Sequence, residues 1–262
     1  MQDAATREAA RILWSNWQAG TRIASLPSSC RPSSRAEGYA VQAALQAASG
    51  SPVYGWKIAA TSTAGQAHIG VDGPLAGRLL AGRARDSGAS LPLAGNHMRV
   101  AEPEFAFRMA RALPPRATPY ATGEVLSAVS TLHPAIEVPD SRYEDFASVG
   151  AAQLIADNAC AHYFVLGAPA PEAWRSIDLV EHVVSGIVDG RSTRRGKGAN
   201  VLGDPRVALT WLANELSGLG ITLEAGHVVT TGTCMIPLEV VVGDQVIADF
   251  GTLGTAEVRF GR

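Results

Sequence analysis

The amino-acid sequence predicts an α+β fold in which a helical N-terminal region precedes a curved or rolled sheet built from many short strands. Two helical patterns occupy residues 3–49, and short apolar segments punctuated by glycine and proline follow from residue 51. Only a few helical patterns interrupt those segments, unlike the regular alternation of a parallel α/β sheet. We therefore predict a helical region at 1–50 and a β-rich domain at 51–262.

The two N-terminal helices have recognisable start signals. Residues 3–19 form an amphipathic pattern with Asp3 as the predicted N-cap. Residues 34–49 form the second pattern, in which Ser34 and Glu37 have the spacing of a capping box.

The β-rich part combines short strand patterns with three helical ones. Asp204 and the proline after it mark the start of one helix, and Gly243 with the following aspartate predicts a hairpin turn. Helices are predicted at 122–132, 150–162 and 204–218, and strands at 53–60, 99–109, 135–138, 183–192 (two strands around a turn), 228–231, 238–242, 246–250 and 256–260.

Composition excludes several functional classes. The net charge of −2 and the absence of a sustained basic run give nucleic-acid binding little support. The segment 196–203 is not a phosphate-binding loop, and no glycine-rich dinucleotide motif follows a strand, so we do not predict nucleotide binding.

The cellular setting is predicted from cysteines and apolar segments. The three cysteines (Cys30, Cys160 and Cys234) form no CxxC pair, which argues against a disulfide framework or a zinc site. No signal-peptide pattern opens the chain, and no window has the roughly 20 apolar residues of a membrane span. We expect a cytoplasmic protein.

Two glutamates in an apolar strand are the first candidate functional residues. Glu102 and Glu104 are separated by Pro103, and residues i and i+2 of a strand face the same side. Such a pair can bind a divalent cation, share a proton, or lie solvated at the surface beside Arg99 or Arg108. Pro103 lacks a backbone donor, which predicts an edge strand.

A third glutamate favours a metal. Glu137 lies in an apolar run, where a carboxylate is costly unless it is paired or bound to a metal; Arg142 is the available partner for ordinary pairing. Three carboxylates with open positions for water suit Mg²⁺ or Mn²⁺ rather than zinc.

Further candidates are a lysine, two threonines and an aspartate. Lys57 is the only charge in its strand, so it is either a general base or substrate partner, or a lysine that extends from an edge strand to solvent. Thr231 and Thr233 flank a glycine in a loop suited to carboxylate binding through backbone N–H groups. Asp157 either orients a ligand or caps a turn.

Motifs along nearly the whole chain resemble the 2-keto-4-pentenoate hydratase / 4-oxalocrotonate decarboxylase family of the fumarylacetoacetate hydrolase superfamily. The most specific are AEPEFAF at 101–107 and AIEVPDSR at 135–142. The supporting motifs are YAVQ at 39–42, GWKIAATS at 55–62, VDGPLAG at 71–77, ADNA at 156–159, VLGDP at 201–205, TGT at 231–233 and FGTLG at 250–254.

The resemblance implies a fold, a metal site and a substrate class. It implies a mixed β-roll core, homo-oligomers, and Mg²⁺ or Mn²⁺ held by Glu102, Glu104 and Glu137. The implied substrate is a small 2-oxo or 2-hydroxy-dienoate that chelates the metal through its carboxylate and C2 oxygen. Lys57 becomes the predicted general base or dienolate partner, and Asp72 a second proton-transfer residue.

The implied activity is a metal-dependent hydratase of aromatic compound catabolism. It adds water to a 2-hydroxy-2,4-dienoate through a metal-stabilised dienolate and 2-oxo-3-enoate, giving a 4-hydroxy-2-oxoacid. A decarboxylase of 2-oxo-3-hexenedioate is an alternative that needs a further cation, for which Lys197 and Arg78 are candidates. An acylpyruvate-type C–C hydrolase would need a histidine such as His68 or His133, and a non-catalytic homologue is the fourth hypothesis. Leu75, which follows the VDxP motif where the family often has an acidic residue, leaves the substrate identity open.

Overall fold

The computed structural model describes residues 1–262 and contains six α-helices and thirteen strands. The helices are α1 (Asp3–Ala19), α2 (Arg35–Ser49), α3 (Thr63–His68), α4 (Thr122–Ser127), α5 (Ala151–Ala156) and α6 (Pro205–Gly218). The strands are β1 (Val53–Ala59), β2 (Leu75–Leu80), β3 (Ala84–Asp86), β4 (Ala89–Pro92), β5 (Val100–Met109), β6 (Val129–Val138), β7 (Tyr163–Leu166), β8 (Val183–Val188), β9 (Ser192–Lys197), β10 (Val228–Thr233), β11 (Leu238–Glu239), β12 (Gln245–Asp249) and β13 (Thr255–Gly261).

The strands form two mixed sheets, which confirms the predicted α+β class. The eight-stranded sheet has the order β2-β1-β10-β5-β6-β7-β3, with β11 beside β5, and the five-stranded sheet has the order β4-β13-β12-β8-β9. Three pairs are parallel: β1 with β10, β3 with β7, and β4 with β13. The largest core cluster, of 49 buried residues, takes side chains from both sheets.

The N-terminal helices pack through a smaller cluster of their own. It comprises 11 buried residues, among them Leu13 of α1 and Leu45 of α2, together with Leu80 from β2. Gln42 of α2 also donates from Nε2 to two buried carbonyl oxygens outside the helix, each at 2.9 Å. The division of the chain at residue 50 stays a prediction. None of the six helices combines the length and apolar character needed to cross a membrane.

Helix starts largely follow the sequence signals. Ser34 accepts a hydrogen bond from the backbone of Glu37 at 3.3 Å, but the Glu37 carboxylate turns to Ser33 rather than completing the capping box. Asp204 caps α6 as predicted, accepting from the backbone N–H two residues on at 2.8 Å. Asp3 is the first residue of α1 rather than its cap.

Two predicted helices end earlier than expected. The 122–132 prediction is wrong after Ser127, because β6 begins at Val129 and pairs along its length with β5. The 150–162 helix stops at Ala156, where a short 3₁₀ turn replaces it. Strand pairing overrides the local helical pattern in the first case, and three residues with positive φ, 158–160, end the helix in the second.

Two strand expectations also need correction. The predicted hairpin at Gly243 is wrong, because β11 pairs with β5 whereas β12 pairs with β8 and β13 in the other sheet. Pro103 does not mark an edge strand, since β5 lies between β10 and β6. Pro103 instead occupies the stretch of β5 between its pairing with Thr233 of β10 and with Leu238 of β11.

Candidate active site

Three glutamates converge on one face of the eight-stranded sheet. Glu102 of β5 lies directly opposite Glu137 of β6, and Glu104 follows two residues along β5. One carboxylate oxygen from each lies within 4.8 Å of the others. Phe105, which alternates with these side chains, belongs to the large core instead.

The surroundings of the carboxylates provide one cation, Lys57, for three acidic groups. Glu104 and Glu137 are 1% and 0% exposed; Glu104 Oε1 and Glu137 Oε2 have no hydrogen-bond partner, and Glu137 Oε1 has only the Lys57 ammonium nearby. The arginines suggested by the sequence are engaged elsewhere: Arg99 donates to Asn96 O, Arg108 binds Gly226 O and Tyr54 OH, and Arg142 binds Asp157. A solvated surface pair therefore does not describe this site.

Burial makes the three carboxyl groups reluctant to ionise together. Desolvation, followed by repulsion from Glu137, raises the pKa of Glu102 to about 7. Desolvation likewise raises the pKa of Glu104 well above its usual range and raises that of Glu137. Clustered carboxylates with free oxygens fit a divalent cation, which requires oxygen ligands and would offset their mutual repulsion.

A bulge in β10 fixes one carboxylate oxygen of Glu104. Glu104 Oε2 accepts hydrogen bonds from the Thr230 hydroxyl and, at 2.8 Å, from the Gly232 N–H. Gly232 has a φ of +94°, and a Cβ there would lie 2.2 Å from Thr61 Oγ1, so glycine is required. Oε2 is held in this way, whereas Oε1 has no hydrogen-bond partner.

Lys57 of β1 joins the carboxylates. Its Nζ lies 3.1 Å from Glu137 Oε1, an ion-pair distance, and donates to Ala159 O at 2.9 Å. Burial alone would lower the pKa of Lys57, but attraction to the three glutamates outweighs burial and raises it. Gly77 on β2 leaves room for the lysine stem, because a Cβ there would lie 3.0 Å from it.

The carbonyl that binds Lys57 belongs to an unusual turn. Asn158, Ala159 and Cys160 all have positive φ, at 56°, 49° and 62°, a conformation that is costly for residues other than glycine. The Asn158 side chain binds both the N–H and the C=O of Arg78 on β2, each at 2.7 Å. These bonds hold the turn against the sheet.

The cluster opens into a cavity of about 800 Å³. Of its 26 lining residues 14 are hydrophobic, and its acidic, lysine and arginine side chains are Lys57, Glu102, Glu104 and Arg195. A mostly apolar cavity with a few convergent charged groups is typical of a small-molecule site.

The other predicted site residues are dispersed. Thr233 lines the cavity, but Thr231 is fully buried and donates to Phe105 O at 3.1 Å. Asp157 is fully buried and binds the Arg142 guanidinium. Asp72 is exposed and lines a separate depression of about 700 Å³, so the structure does not bring it to the glutamates.

The cations suggested for a decarboxylase and the histidines suggested for a C–C hydrolase mostly lie away from the cavity. Lys197 pairs with Glu181 at 2.9 Å and does not line the cavity, and Arg78 stacks over the Trp56 ring. His133 is buried and binds Gly167 O at 2.9 Å, and burial lowers its pKa. His68 lines the cavity but has no acidic hydrogen-bond partner.

Sequence reasoning missed four contributors to this site: the Thr230 hydroxyl, the Gly232 N–H, the Ala159 carbonyl and Arg195. Thr230 and Gly232 lie in the segment predicted to bind a carboxylate through backbone N–H groups, and the carboxylate bound there is Glu104. The Ala159 carbonyl carries no side-chain signal. Arg195 lies in the basic stretch 191–197, which is the signal available for it.

The fold and the site define a class of small-molecule proteins with a carboxylate-lined cavity on a rolled sheet. The family model described as fumarylacetoacetate (FAA) hydrolase C-terminal matches residues 39–260, and the chain belongs to this family. The resemblance seen in the sequence motifs is thereby confirmed.

Individual relatives agree with this assignment. A 2-keto-4-pentenoate hydratase of Burkholderia vietnamiensis (strain G4 / LMG 22486) is 35% identical, over 92% of this chain and 92% of that protein. A 4-oxalocrotonate decarboxylase of Pseudomonas sp is 34% identical, over 77% of this chain and 76% of that protein. The solved structure of 4-oxalocrotonate decarboxylase from Pseudomonas putida G7, complexed with magnesium and adipate, has a TM-score of 0.89 at 26% identity, covering 99% and 98% of the two chains.

Proposed function

We propose that this protein is a divalent-metal-dependent lyase, a hydratase that adds water to a 2-hydroxy-2,4-dienoate to give a 4-hydroxy-2-oxoacid. The observation that carries the proposal is the convergence of Glu102, Glu104 and Glu137 with Lys57, beside a cavity that Lys57, Glu102 and Glu104 line. The names of the hydratase relatives support the reaction class.

The three glutamates are the proposed ligands of Mg²⁺ or Mn²⁺. The unpartnered buried oxygens of Glu104 and Glu137 and the all-oxygen donor set fit a hard cation, and the magnesium complex of the related decarboxylase supports this choice. When bound, the cation supplies a Lewis acid for charge that develops on an oxygen of the substrate.

Lys57 is the proposed proton-transfer group. Its ammonium lies at the carboxylate cluster and is oriented by Glu137 and by the Ala159 carbonyl. A bound dication would offset the carboxylate charges that raise the Lys57 pKa, which moves that pKa toward the range useful for proton transfer. Thr233 is the proposed substrate contact from β10, since it is the member of the predicted threonine pair that lines the cavity. Roles for Asp72, Thr231 and Asp157 remain predictions from the sequence, as do homo-oligomers.

Turnover of 2-hydroxypenta-2,4-dienoate tests the proposal. The enzyme is assayed with Mg²⁺ or Mn²⁺ and with EDTA, following loss of the dienol absorbance and identifying the product. We expect metal-dependent formation of 4-hydroxy-2-oxopentanoate. Metal binding without turnover of this or any longer dienoate would overturn the hydratase proposal and leave the metal site standing.

Decarboxylation of 2-oxo-3-hexenedioate is the second candidate. A specific observation favours it: Arg195 provides the cavity with a cation beyond Lys57, and a diacid substrate has a second carboxylate to bind. The overall similarity to the Pseudomonas putida decarboxylase is in keeping with this candidate. Release of CO₂ from 2-oxo-3-hexenedioate, measured beside hydration, distinguishes the two reactions.

A further inference from the structure

Thr61 has a free hydroxyl at the wall of the candidate active-site cavity. Three residues with hydroxyl groups line this cavity. Ser62 accepts from the Gly65 N–H at 3.0 Å, and Thr233 donates to the Met235 carbonyl oxygen at 2.9 Å. The Thr61 hydroxyl makes no hydrogen bond within the chain, so it is the member of the three that is available to a ligand.

The hydroxyl of Thr61 lies beside the backbone that holds Glu104. A Cβ on Gly232 would lie 2.2 Å from Thr61 Oγ1, and the Gly232 N–H donates to Glu104 Oε2 at 2.8 Å. Thr61 is 5% exposed, yet Oγ1 is not one of the fully enclosed polar atoms that lack a hydrogen-bond partner. The cavity therefore reaches this hydroxyl next to the residue that binds a proposed metal ligand.

Strained backbone adjoins Thr61 on both sides. Ala60, directly before it, has a φ of +58°, and Leu202, whose N–H donates to Thr61 O at 2.8 Å, has a φ of +48°. A positive φ is costly for residues other than glycine, and it persists where the surrounding structure imposes it, commonly at functional sites. The backbone, rather than a hydrogen-bond partner of the side chain, thus sets the position of the Thr61 hydroxyl.

We propose that Thr61 is a substrate-binding residue whose hydroxyl donates a hydrogen bond to the 2-oxo-carboxylate end of the substrate. The inference rests on the proposed function, which places that end at the three glutamates. A hydroxyl can donate to an anionic oxygen, and such a charge-assisted hydrogen bond is stronger than a neutral one. A neutral donor also adds no positive charge that would repel a cation bound by the glutamates.

Binding of 2-oxopentanoate, a saturated 2-oxo acid with no alkene to hydrate, tests the inference. Thr61→Val keeps the shape that packs against Gly232 and removes the hydroxyl, whereas Thr61→Ser keeps the hydroxyl. Thr63→Val is the matched control, because Thr63 is exposed on α3 and does not line the cavity. Calorimetric titration measures the affinity for Mg²⁺ alone and then the affinity for the acid at saturating Mg²⁺.

We expect Thr61→Val to bind 2-oxopentanoate roughly tenfold less tightly than the wild type, because a hydrogen bond to a charged group is lost. Its Mg²⁺ affinity should be unchanged. Thr61→Ser should keep most of the affinity for the acid, and Thr63→Val should keep all of it. Thermal unfolding of each variant checks that it is folded.

Three results would overturn the inference. The first is an unchanged affinity of Thr61→Val for the acid, and the second is failure of the wild type to bind the acid in Mg²⁺. The third is weaker Mg²⁺ binding by Thr61→Val, because a purely structural role of Thr61 would act through Gly232 on Glu104.

The same variants separate the Thr61 contact from the proposed function. A loss of acid affinity in Thr61→Val, in a protein that hydrates no dienoate, would retain the Thr61 contact and remove the hydratase. Turnover of dienoates by the wild type, with unchanged acid binding by Thr61→Val, would retain the hydratase and remove the contact.

Discussion

Glu104 is the carboxylate with the most constrained surroundings, because one of its oxygens is held by β10 and the other has no hydrogen-bond partner. Glu104→Gln keeps the shape but removes the charge that a dication needs. We expect Mg²⁺ affinity to fall more than about 100-fold, since changes to outer-shell partners alone cost 10–100-fold. Turnover should be lost while the fold is retained.

Calorimetric titration of Mg²⁺ and circular dichroism measure the two expectations for Glu104→Gln. Glu239→Gln is the matched control, because Glu239 is exposed on β11, the short strand beside β5, and is outside the cavity. Normal metal binding by Glu104→Gln would remove Glu104 from the proposed ligand set.

Substitution of Lys57 should affect turnover without weakening metal binding, unlike substitution of a glutamate. Lys57→Met removes a positive charge beside the carboxylates and no metal ligand, so Mg²⁺ affinity should be unchanged or tighter. Loss of a proton-transfer group should lower kcat by about 100-fold or more. Metal titration together with steady-state kinetics tests both expectations. A kcat near that of the wild type would make Lys57 a structural lysine that balances Glu137.

The site residues differ in how far a sequence can reveal them. Glu102, Glu104 and Lys57 were predictable because each is a charge in an apolar strand, where its presence needs a chemical reason. Asp157 shows the opposite case: it is as buried as Glu137, yet its charge is satisfied by Arg142, and nothing in the ADNA motif distinguishes the two situations. Partner choice depends on the tertiary fold.

At the scale of elements, the left-handed turn at 158–160 supplies the carbonyl oxygen that binds Lys57, and it is itself hydrogen-bonded to β2. Asn tolerates positive φ better than alanine, and its side chain makes two bonds to β2. We expect Asn158→Ala to lower the free energy of unfolding by about 2–4 kcal/mol through lost hydrogen bonds and added backbone strain. It should also lower kcat, because the Ala159 carbonyl then no longer orients Lys57.

Urea denaturation and kinetics measure this pair of effects. Ala159→Gly is the matched control, since glycine adopts the observed φ of 49° without strain and keeps the carbonyl. We expect its stability to equal or exceed that of the wild type. A change below about 0.5 kcal/mol in Asn158→Ala, the usual range for surface substitutions, would show that Asn158 does not hold the turn.

Elements were predicted well where their signals are local. The Asp204-Pro205 start of α6 follows directly from capping chemistry. Residues 129–132 were instead assigned to a helix, although Val129 and Thr131 are β-branched, because their apolar spacing also fits a helical face. Pairing with β5 decided the outcome, and no local pattern reports a partner some 25 residues away.

For the whole molecule, the carboxylate cluster should make the free energy of unfolding depend both on pH and on bound metal. The pKa of Glu102 is raised to about 7, above an unfolded value of about 4.3. A group with a raised folded pKa contributes stability that is complete below about pH 4.3 and is lost as the pH rises through about 7. The metal-free protein should therefore lose stability from this cluster between those pH values.

Added Mg²⁺ should reverse that loss, because it binds the deprotonated carboxylates. We expect the rise in Tm caused by Mg²⁺ to be larger at pH 8 than at pH 5.5. Thermal unfolding with Mg²⁺ or EDTA at the two pH values measures the difference. Glu104→Gln should show no such dependence, and an equal Tm shift at both pH values in the wild type would contradict the role of the cluster.

The cross-strand pairing of Glu102 with Glu137 has a consequence for folding. A slip of β5 against β6 by one residue would turn the carboxylates of one strand to the opposite face and separate the cluster. A dication that needs all three carboxylates would thus stabilise only the native alignment of the two central strands. The three proposed metal ligands would then also favour the correct register of the sheet during folding.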